Sequence, residues 1–387
     1  MKKKLLYASP FLPKQSGISD YSEILIYGLR EYFDITLLID DYKLLNKNLY
    51  KDFKVLIYKK DKIKFDEYDY KIYNIGNNPW FHGYIYDCAL KYPGFIILHD
   101  FILYYLTIGY YQNKESFYSE MYEIAGANGF SLIKSQIKRG RNLLECKEIS
   151  HLLPLNKELI KLSQGIFVHS EYTRGIILKE FKKADICKIN MVDMNNTTDE
   201  KISNDYLREN YGVADDAVVI ASFGYIAPTK QNHIICEVIN DIAAKGKNIY
   251  YIMVGEGNYI DNYANGNIIK TGFVERNIYD SILKRCNIVA NLRYPTMGET
   301  SISLIHAMGI GKPCFVTDDA WFSELPDDVV VKISYENEKK EIYEKLIYFL
   351  ENQNQLKMIS KKAKEFVKNE HSIEKIANDI YKFLNKI

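Results

Sequence analysis

The sequence predicts an α/β chain of two successive doubly wound halves, each a parallel sheet covered by helices. Short apolar runs alternate with longer amphipathic stretches, the pattern of parallel strands joined by crossover helices. The pattern restarts once, after a polar stretch at 193–205 with the composition of an interdomain linker. The length of 387 residues also exceeds one typical domain of roughly 100–200 residues.

In the first half the expected strands are 4–8, 35–39, 55–58, 71–74, 95–99 and 166–169. In the second they are 218–223, 250–254, 267–270, 288–291, 314–317 and 329–333. The last fifty residues predict helices at 341–353, 354–369 and 373–385, with Ile373, Ile376, Ile380, Phe383 and Leu384 at helical spacing. Domain limits follow at 1–195 and 196–372, with 373–387 as a C-terminal helix.

With 47% hydrophobic and 26% charged residues, the chain has the balance of a globular protein with substantial cores. A net charge of +1 argues against a nucleic-acid coat, so no nucleic acid is expected as partner. Cys88, Cys146, Cys187, Cys236, Cys286 and Cys314 form no C-x-x-C pair. Scattered free thiols imply a reducing, cytoplasmic setting. The basic start MKKKLLYASPFLP has an apolar stretch too short for a signal peptide and reads as a first buried strand. No run approaches the roughly 18 apolar residues of a membrane span.

Ligands of open parallel sheets bind at the carboxyl ends of the strands, so the segments there carry the functional reading. PFLPKQSGISDY follows the first strand; Gly17 permits a tight turn and Ser19 or Asp20 offers a helix cap. It reads as a capped turn or as a ligand loop. NIGNNPW with Asn77, and His99-Asp100 after GFIIL, place polar groups at two further strand ends. A histidine there is a structural group or a substrate contact.

FGYIAPTK opens the second half, and Lys230 is a solvated lysine or a point charge for a diphosphate. VGEG lacks the third glycine of a dinucleotide fingerprint and reads as a turn approaching a ligand or a neighbour closely. The most informative stretch is NLRYPTMGETSISLIHAMGIGKP. A strand ends at Asn291, a loop carries Arg293 and Glu299, a helix starts near 300–303, and Gly309 and Gly311 stop it. The N–H groups at that start suit a phosphate, although a capped helix with Glu in its first turn is an equal reading.

Metal chemistry lacks support, because the seven histidines are dispersed with no H-x-x-x-H pair; no metal or cofactor is expected. G-x-S-x-G and G-x-x-x-x-G-K-[ST] are both missing, since Pro313 follows Lys312.

Taken in order, PFLPKQSGISDYS, IGNNPWFHGYIYDCALKYPGFIILHDFILYYL, IFVHSEYTR, FGYIAPTK, VGEG, TGFVERNIYDSI and YPTMGETSISLIHAMGIGKPCFVTDDAWFSELPD resemble the GT4 family of retaining glycosyltransferases. The likeness is to bacterial members that build polysaccharides and O-antigens, and runs from about Tyr7 to Ile333. It implies the GT-B fold: two Rossmann-like doubly wound domains facing across a cleft, with the C-terminal helix returning to the first. By position, Gly17 resembles the glycine that meets the donor diphosphate, His99 the histidine that reaches the donor sugar, and Lys230 the phosphate-binding lysine. Glu299 resembles the first acidic residue of the E-x7-E motif, and Thr300, Ser301 and Ile302 would offer N–H groups to the phosphates.

The resemblance adds Gly224, Tyr225, Gly255, Gly272, Phe273, Arg293 and His306 to the donor side, and Ser19, Asp20, Asn77 and Asp100 to the acceptor side. Two positions depart from the family. Tyr225 stands where an arginine is usual, leaving Arg293 as the alternative cation. His306 stands where a second glutamate binds ribose, with Glu299 itself offset by one position.

The implied activity is metal-independent transfer of a sugar, with retention, from a nucleotide-diphosphate donor to a glycan or lipid-linked glycan. His99, Glu299 and Lys230 are its central groups. The stretch 130–144, with Phe130, Ile133, Ile137 and Leu144 beside Lys134, Lys138 and Arg141, reads as a basic helix lying on the cytoplasmic membrane face or as an ordinary surface helix. Two alternatives stay open. One is a nucleotide-sugar epimerase on the same fold; the other is an inactive homologue serving as a partner subunit, suggested by Tyr225 and His306.

Overall fold

A computed structural model describes residues 2–194 and 206–386. The expected linker at 193–205 therefore lies largely outside the described residues. The chain divides into two compact units: Met1–Val192 with Met297–Thr300 and Ile373–Ile387, and Asp193–Thr296 with Ser301–Ser372.

The first unit holds a seven-stranded parallel sheet of β1 (Lys3–Ala8), β2 (Phe33–Ile39), β3 (Lys54–Ile57), β4 (Tyr70–Ile75), β5 (Phe95–Leu98), β6 (Gly165–Val168) and β7 (Ile186–Lys188). Their spatial order is β3-β2-β1-β4-β5-β6-β7. The second holds β8 (Val218–Phe223), β9 (Ile249–Val254), β10 (Ile268–Gly272), β11 (Ile288–Asn291), β12 (Cys314–Thr317) and β13 (Val331–Ile333). Their order is β10-β9-β8-β11-β12-β13. Both sheets thus run outward from a central pair, β1/β4 and β8/β11, where the winding direction reverses. A ligand crevice of a doubly wound sheet opens at the carboxyl ends of that pair.

The strands are apolar on both faces because helices cover both. Leu5, Leu6, Tyr7 and Ala8 of β1 are buried, as are the last five residues of β8. Every expected strand is present with ends shifted by two residues or fewer, while β7, a three-residue edge strand, was not expected. The closing helices run Glu338–Glu351, Gln353–Glu370 and Ile373–Leu384. The last packs within the first unit against the helix Gly17–Leu29, and a Cβ on Gly28 would meet Ile373 Cγ1 at 2.6 Å. Its Phe383 ring lies 5.0 Å from Phe167 of β6.

Two local expectations need correction. The helix Gly17–Leu29 is capped by Ser16, whose hydroxyl accepts from Ser19 N–H, rather than by Ser19 or Asp20. Asp20 falls in the first turn, where its charge suits the helix dipole. The stretch 130–144 is not one helix. It is the end of the helix Phe117–Lys138, kinked at Gly126 with φ 69°, followed by a turn at Gly140 and a short 3-10 segment Leu143–Glu145. Phe130, Ile133, Ile137 and Leu144 pack on the first unit's own core, so the apolar stripe already has its partner.

Candidate functional site

The first unit gathers polar side chains at the carboxyl end of its central strands. Asn74, near the end of β4, is fully buried. Its Nδ2 donates to Ala8 C=O at 3.2 Å, and its Oδ1 lies 3.3 Å from Tyr7 OH and 3.2 Å from His99 Nε2. His99, just past β5, also meets His169, just past β6, at 3.2 Å between Nδ1 and Nε2. His169 Nδ1 lies 3.1 Å from the carbonyl oxygen of Ile189. Tyr21, from the helix Gly17–Leu29, sets its ring edge-on against both imidazoles.

Burial, reinforced by His169 and His82, pushes the His99 pKa well down. His82 is held down to about 4 by burial, with Asn74 C=O, 3.0 Å from Nδ1, opposing.

Loop scaffolding accounts for two of the acceptor-side candidates. Asp100 accepts from Asn77 N–H at 2.8 Å, and Asn77 Oδ1 accepts from the N–H groups of Tyr105 and Leu106, opening the helix Tyr104–Tyr111. Ser19 is buried and donates to Lys14 C=O. Gly17 is the exposed first residue of its helix.

Glu299 and Thr300 also belong to this unit. The turn around Gly298, at φ 77°, is clamped by Phe101 and Ile102, both donating to Met297 C=O at 3.1 Å, and by Thr173 donating to Gly298 C=O at 3.2 Å. Glu299 accepts from Met297 N–H at 2.6 Å, which fixes its carboxylate within that turn.

In the second unit the loop after β8 is built around Gly224, at φ 94°. Lys230 lies in the 3-10 turn Pro228–Lys230 and returns over it, donating to Phe223 C=O at 3.1 Å. A Cβ on Gly224 would stand 2.8 Å from the lysine Nζ. Gly255 and Gly257 answer the alternative left by the sequence: they approach a neighbour. A Cβ on Gly255 would meet Gly224 C=O oxygen at 2.2 Å, and one on Gly257 would meet the Ile226 oxygen at 2.1 Å. Gly272, at φ 73°, bridges Gly255 and leaves open space, with Tyr225 and Phe273 exposed nearby in sequence to these turns.

Ser301 caps the helix Ile302–Gly309, accepting from Leu304 N–H at 3.3 Å and meeting Ser303 Oγ at 3.1 Å. Asn291, at the end of β11, donates to Ser303 Oγ at 3.3 Å. Arg293 N–H donates to Thr317 Oγ1 at 2.8 Å. The β8 and β11 ends thus bring a lysine, a glycine turn and a helix start to one end of the sheet. The arrangement can neutralise an anion by charge and by N–H dipoles.

His306 faces inward from that helix. Its Nε2 lies 3.1 Å from Asp280 Oδ1 and 3.1 Å from Arg276 Nη2, and Arg276 Nε meets both Asp280 oxygens at 3.1 and 3.0 Å. Burial pushes the Asp280 carboxyl up, but His306 and Arg276 outweigh it and hold the group below its usual value. Sequence reasoning missed Arg276, Asp280 and His169. The spacing of Arg276 and Asp280 by four on the helix Arg276–Arg285 was a readable signal; their pairing with His306 was not.

Among the described residues no group of three or more His, Cys, Asp or Glu is placed to hold a metal ion. All six cysteines are free. No helix there is long and apolar enough to cross a membrane.

Residues 203–366 match the family model of glycosyl transferases group 1. No curated protein sequence matches the chain. Solved structures of the same fold include Anabaena Alr3699/HepE in complex with UDP and glucose, with TM-score 0.67, 14% identity and all of both chains covered. WaaG, a glycosyltransferase involved in lipopolysaccharide biosynthesis, gives 0.59 at 11% identity over 98% of this chain and 99% of its own. A putative UDP-N-acetylglucosamine 2-epimerase from Listeria monocytogenes gives 0.55 at 14% identity over 98% and 95%. At these identities the likeness speaks to fold alone: two parallel sheets with interleaved helices, as expected from sequence, with GT-B glycosyltransferases among the neighbours.

Proposed function

We propose that the chain is a glycosyltransferase of the GT4 kind. It moves a sugar from a nucleotide-diphosphate donor to a glycan or lipid-linked glycan, with retention and without a metal, in bacterial surface polysaccharide synthesis on the cytoplasmic side. The observation that carries the reading is the Lys230 amine held over Gly224 at the carboxyl end of β8, inside the stretch that matches glycosyl transferases group 1. WaaG, of the same fold, acts in lipopolysaccharide biosynthesis, which supports the polysaccharide role.

Loss of a diphosphate leaving group builds negative charge, and preorganised donors at that point lower the barrier. Lys230 supplies a fixed cation, and the first N–H groups of the helix Ile302–Gly309 supply dipoles without reorganising. Arg293 is the second cation in this reading. Asp280 and Arg276 hold the buried His306 ring in one orientation, which braces the helix that carries those N–H groups. Same-face attack by the acceptor hydroxyl, assisted by the departing phosphate, requires no carboxylate nucleophile. Asn74 and His99 lie buried at the end of the first sheet, where they brace the adjoining loops.

The test is a calorimetric and thermal-shift panel of UDP, GDP, their sugar conjugates and NAD, without metal, on wild type and Lys230→Ala. Selective stabilisation by one nucleoside diphosphate, weakened in Lys230→Ala, is expected and names the donor base. Failure of every nucleotide sugar to bind would overturn the assignment. The epimerase fold neighbour makes product analysis part of the same experiment, since an epimerase changes the donor sugar with no acceptor present.

A further inference from the structure

His99 and His169 make three contacts that two neutral imidazoles cannot all satisfy. His169 Nδ1 faces the Ile189 carbonyl oxygen at 3.1 Å, His169 Nε2 faces His99 Nδ1 at 3.2 Å, and His99 Nε2 faces Asn74 Oδ1 at 3.2 Å. The oxygens at both ends only accept, so each outer contact needs an N–H and the middle one needs a third. Two neutral rings carry two. Each of the three neutral tautomer combinations with two bonds made leaves one contact as lone pair against lone pair. Turning the Asn74 amide over gives no relief, because its Nδ2 donates to Ala8 C=O at 3.2 Å and the turn would set oxygen against oxygen. One further proton makes every bond.

The contacts are closed in. His99 is 6% exposed and His169 3%, and the Tyr21 ring, 4.9 and 5.3 Å from the two imidazoles, holds both in place. An unmade hydrogen bond between buried groups costs about 1–3 kcal/mol, and a third proton removes that cost. Titratable groups around the pair include Tyr7 from β1, Tyr21 from the helix Gly17–Leu29, His82 from the helix Pro79–Lys91, and Asp100 next along the chain, whose carboxylate accepts from Asn77. Desolvation, and the proximity of His169 and then of His82, oppose a charge here. His82 is an internal control: it is as buried, yet its neutral Nδ1–H tautomer satisfies its contact with Asn74 C=O.

We propose that His169 is a positioning residue acting through His99: the two imidazoles bind one proton in common, and that proton makes N–H donors available on both sides of His99. This places a switchable positive charge inside the carboxyl end of the first unit's sheet.

The experiment follows the ring nitrogens of the full chain, labelled with 15N-histidine, by NMR from pH 8 downward, with assignments from His82→Gln, His99→Gln and His169→Gln. The expected result is that His99 and His169 shift together through a single protonation, at higher pH than His82. Protonation of His82 first, or a pair that stays neutral until the chain unfolds, would overturn the proposal. This wild-type titration decides the matter even where a variant fails to fold.

His169→Asn keeps a donor for Ile189 and removes Nε2, so His99 should revert to an Nε2–H tautomer and lose the shared step. In the 15N titration of this variant the His99 nitrogens should keep the neutral Nε2–H pattern at every pH where wild type has taken up the shared proton. A His99 that takes up its proton at the same pH in this variant as in wild type would mark His169 as structural only. The nitrogen titration needs no nucleotide, so it decides the pair whatever the outcome for the transferase reading.

Discussion

The amine of Lys230 stands where a side chain on Gly224 would begin: the separation from an ideal Cβ is 2.8 Å. The glycine and the lysine are therefore one device, in which a missing side chain makes room for a charge. Gly224→Ala should displace the amine as well as strain a backbone at φ 94°. The expected outcome is loss of nucleoside-diphosphate binding as large as in Lys230→Ala, with a stability cost of about 1–3 kcal/mol. Calorimetry and urea unfolding of the two variants side by side check both parts.

Gly255 is a different case, because its obstacle is main chain. The Gly224 carbonyl oxygen lies 2.2 Å from a Cβ at this position, and neither strand-end loop can yield without breaking the Gly224 N–H to Val254 C=O bond. Gly255→Ala should cost at least about 3 kcal/mol. Gly246→Ala, at φ 80° with open space around it, should cost only about 1 kcal/mol. A difference in urea midpoint between the two variants is the readout, and equal midpoints would refute the close-approach account.

Asp280 should make the second unit acid-sensitive. Its folded pKa is depressed by His306 and Arg276, so the folded form binds the proton less readily than the unfolded chain does. Its stabilisation is therefore present above the ordinary carboxylate value of about 3.9 and is lost as pH falls through the folded pKa. Asp280→Asn should destabilise by about 1–3 kcal/mol at pH 7 and lose less stability than wild type on acidification below pH 4. Thermal unfolding against pH measures both.

His82 gives a second window. Burial lowers its pKa from 6.5 to about 4, so the unfolded chain takes up the proton first as pH falls. Stability contributed by the neutral ring is whole above pH 6.5 and declines toward pH 4, by about 3 kcal/mol in total. His82→Gln should flatten that decline between pH 6.5 and 4, seen in urea midpoints taken at half-unit steps. An unchanged slope would show that the ring is already protonated or already exposed.

The layer order of both units was legible because apolar runs of four to seven residues bounded by turn residues are a local signal. β7, three half-buried residues at a sheet edge, lacks such a run. The N-cap of Gly17–Leu29 was misplaced by three or four residues because Ser16, Ser19 and Asp20 are all competent caps and only the chain's entry direction selects one. At the candidate sites, Lys230, Glu299 and His99 stood out by their place after strands. Their partners did not. Asp280 meets His306 across 26 residues and His169 meets His99 across 70, and no periodicity reports such pairings. The stretch 130–144 read as a membrane-lying helix or an ordinary surface helix because spacing does not say what its apolar side packs on, which is the first unit's core.

The helix Ile373–Leu384 lies within the first unit, whose last strand ends at Lys188. During synthesis the groove it fills, lined by Gly28, Phe95 and Phe167, stays uncovered while the whole second sheet is being made. Growth of the chain is slow, at about 5–20 residues per second, so the nascent protein spends many seconds with that apolar groove open to chaperones or to the same groove on another chain.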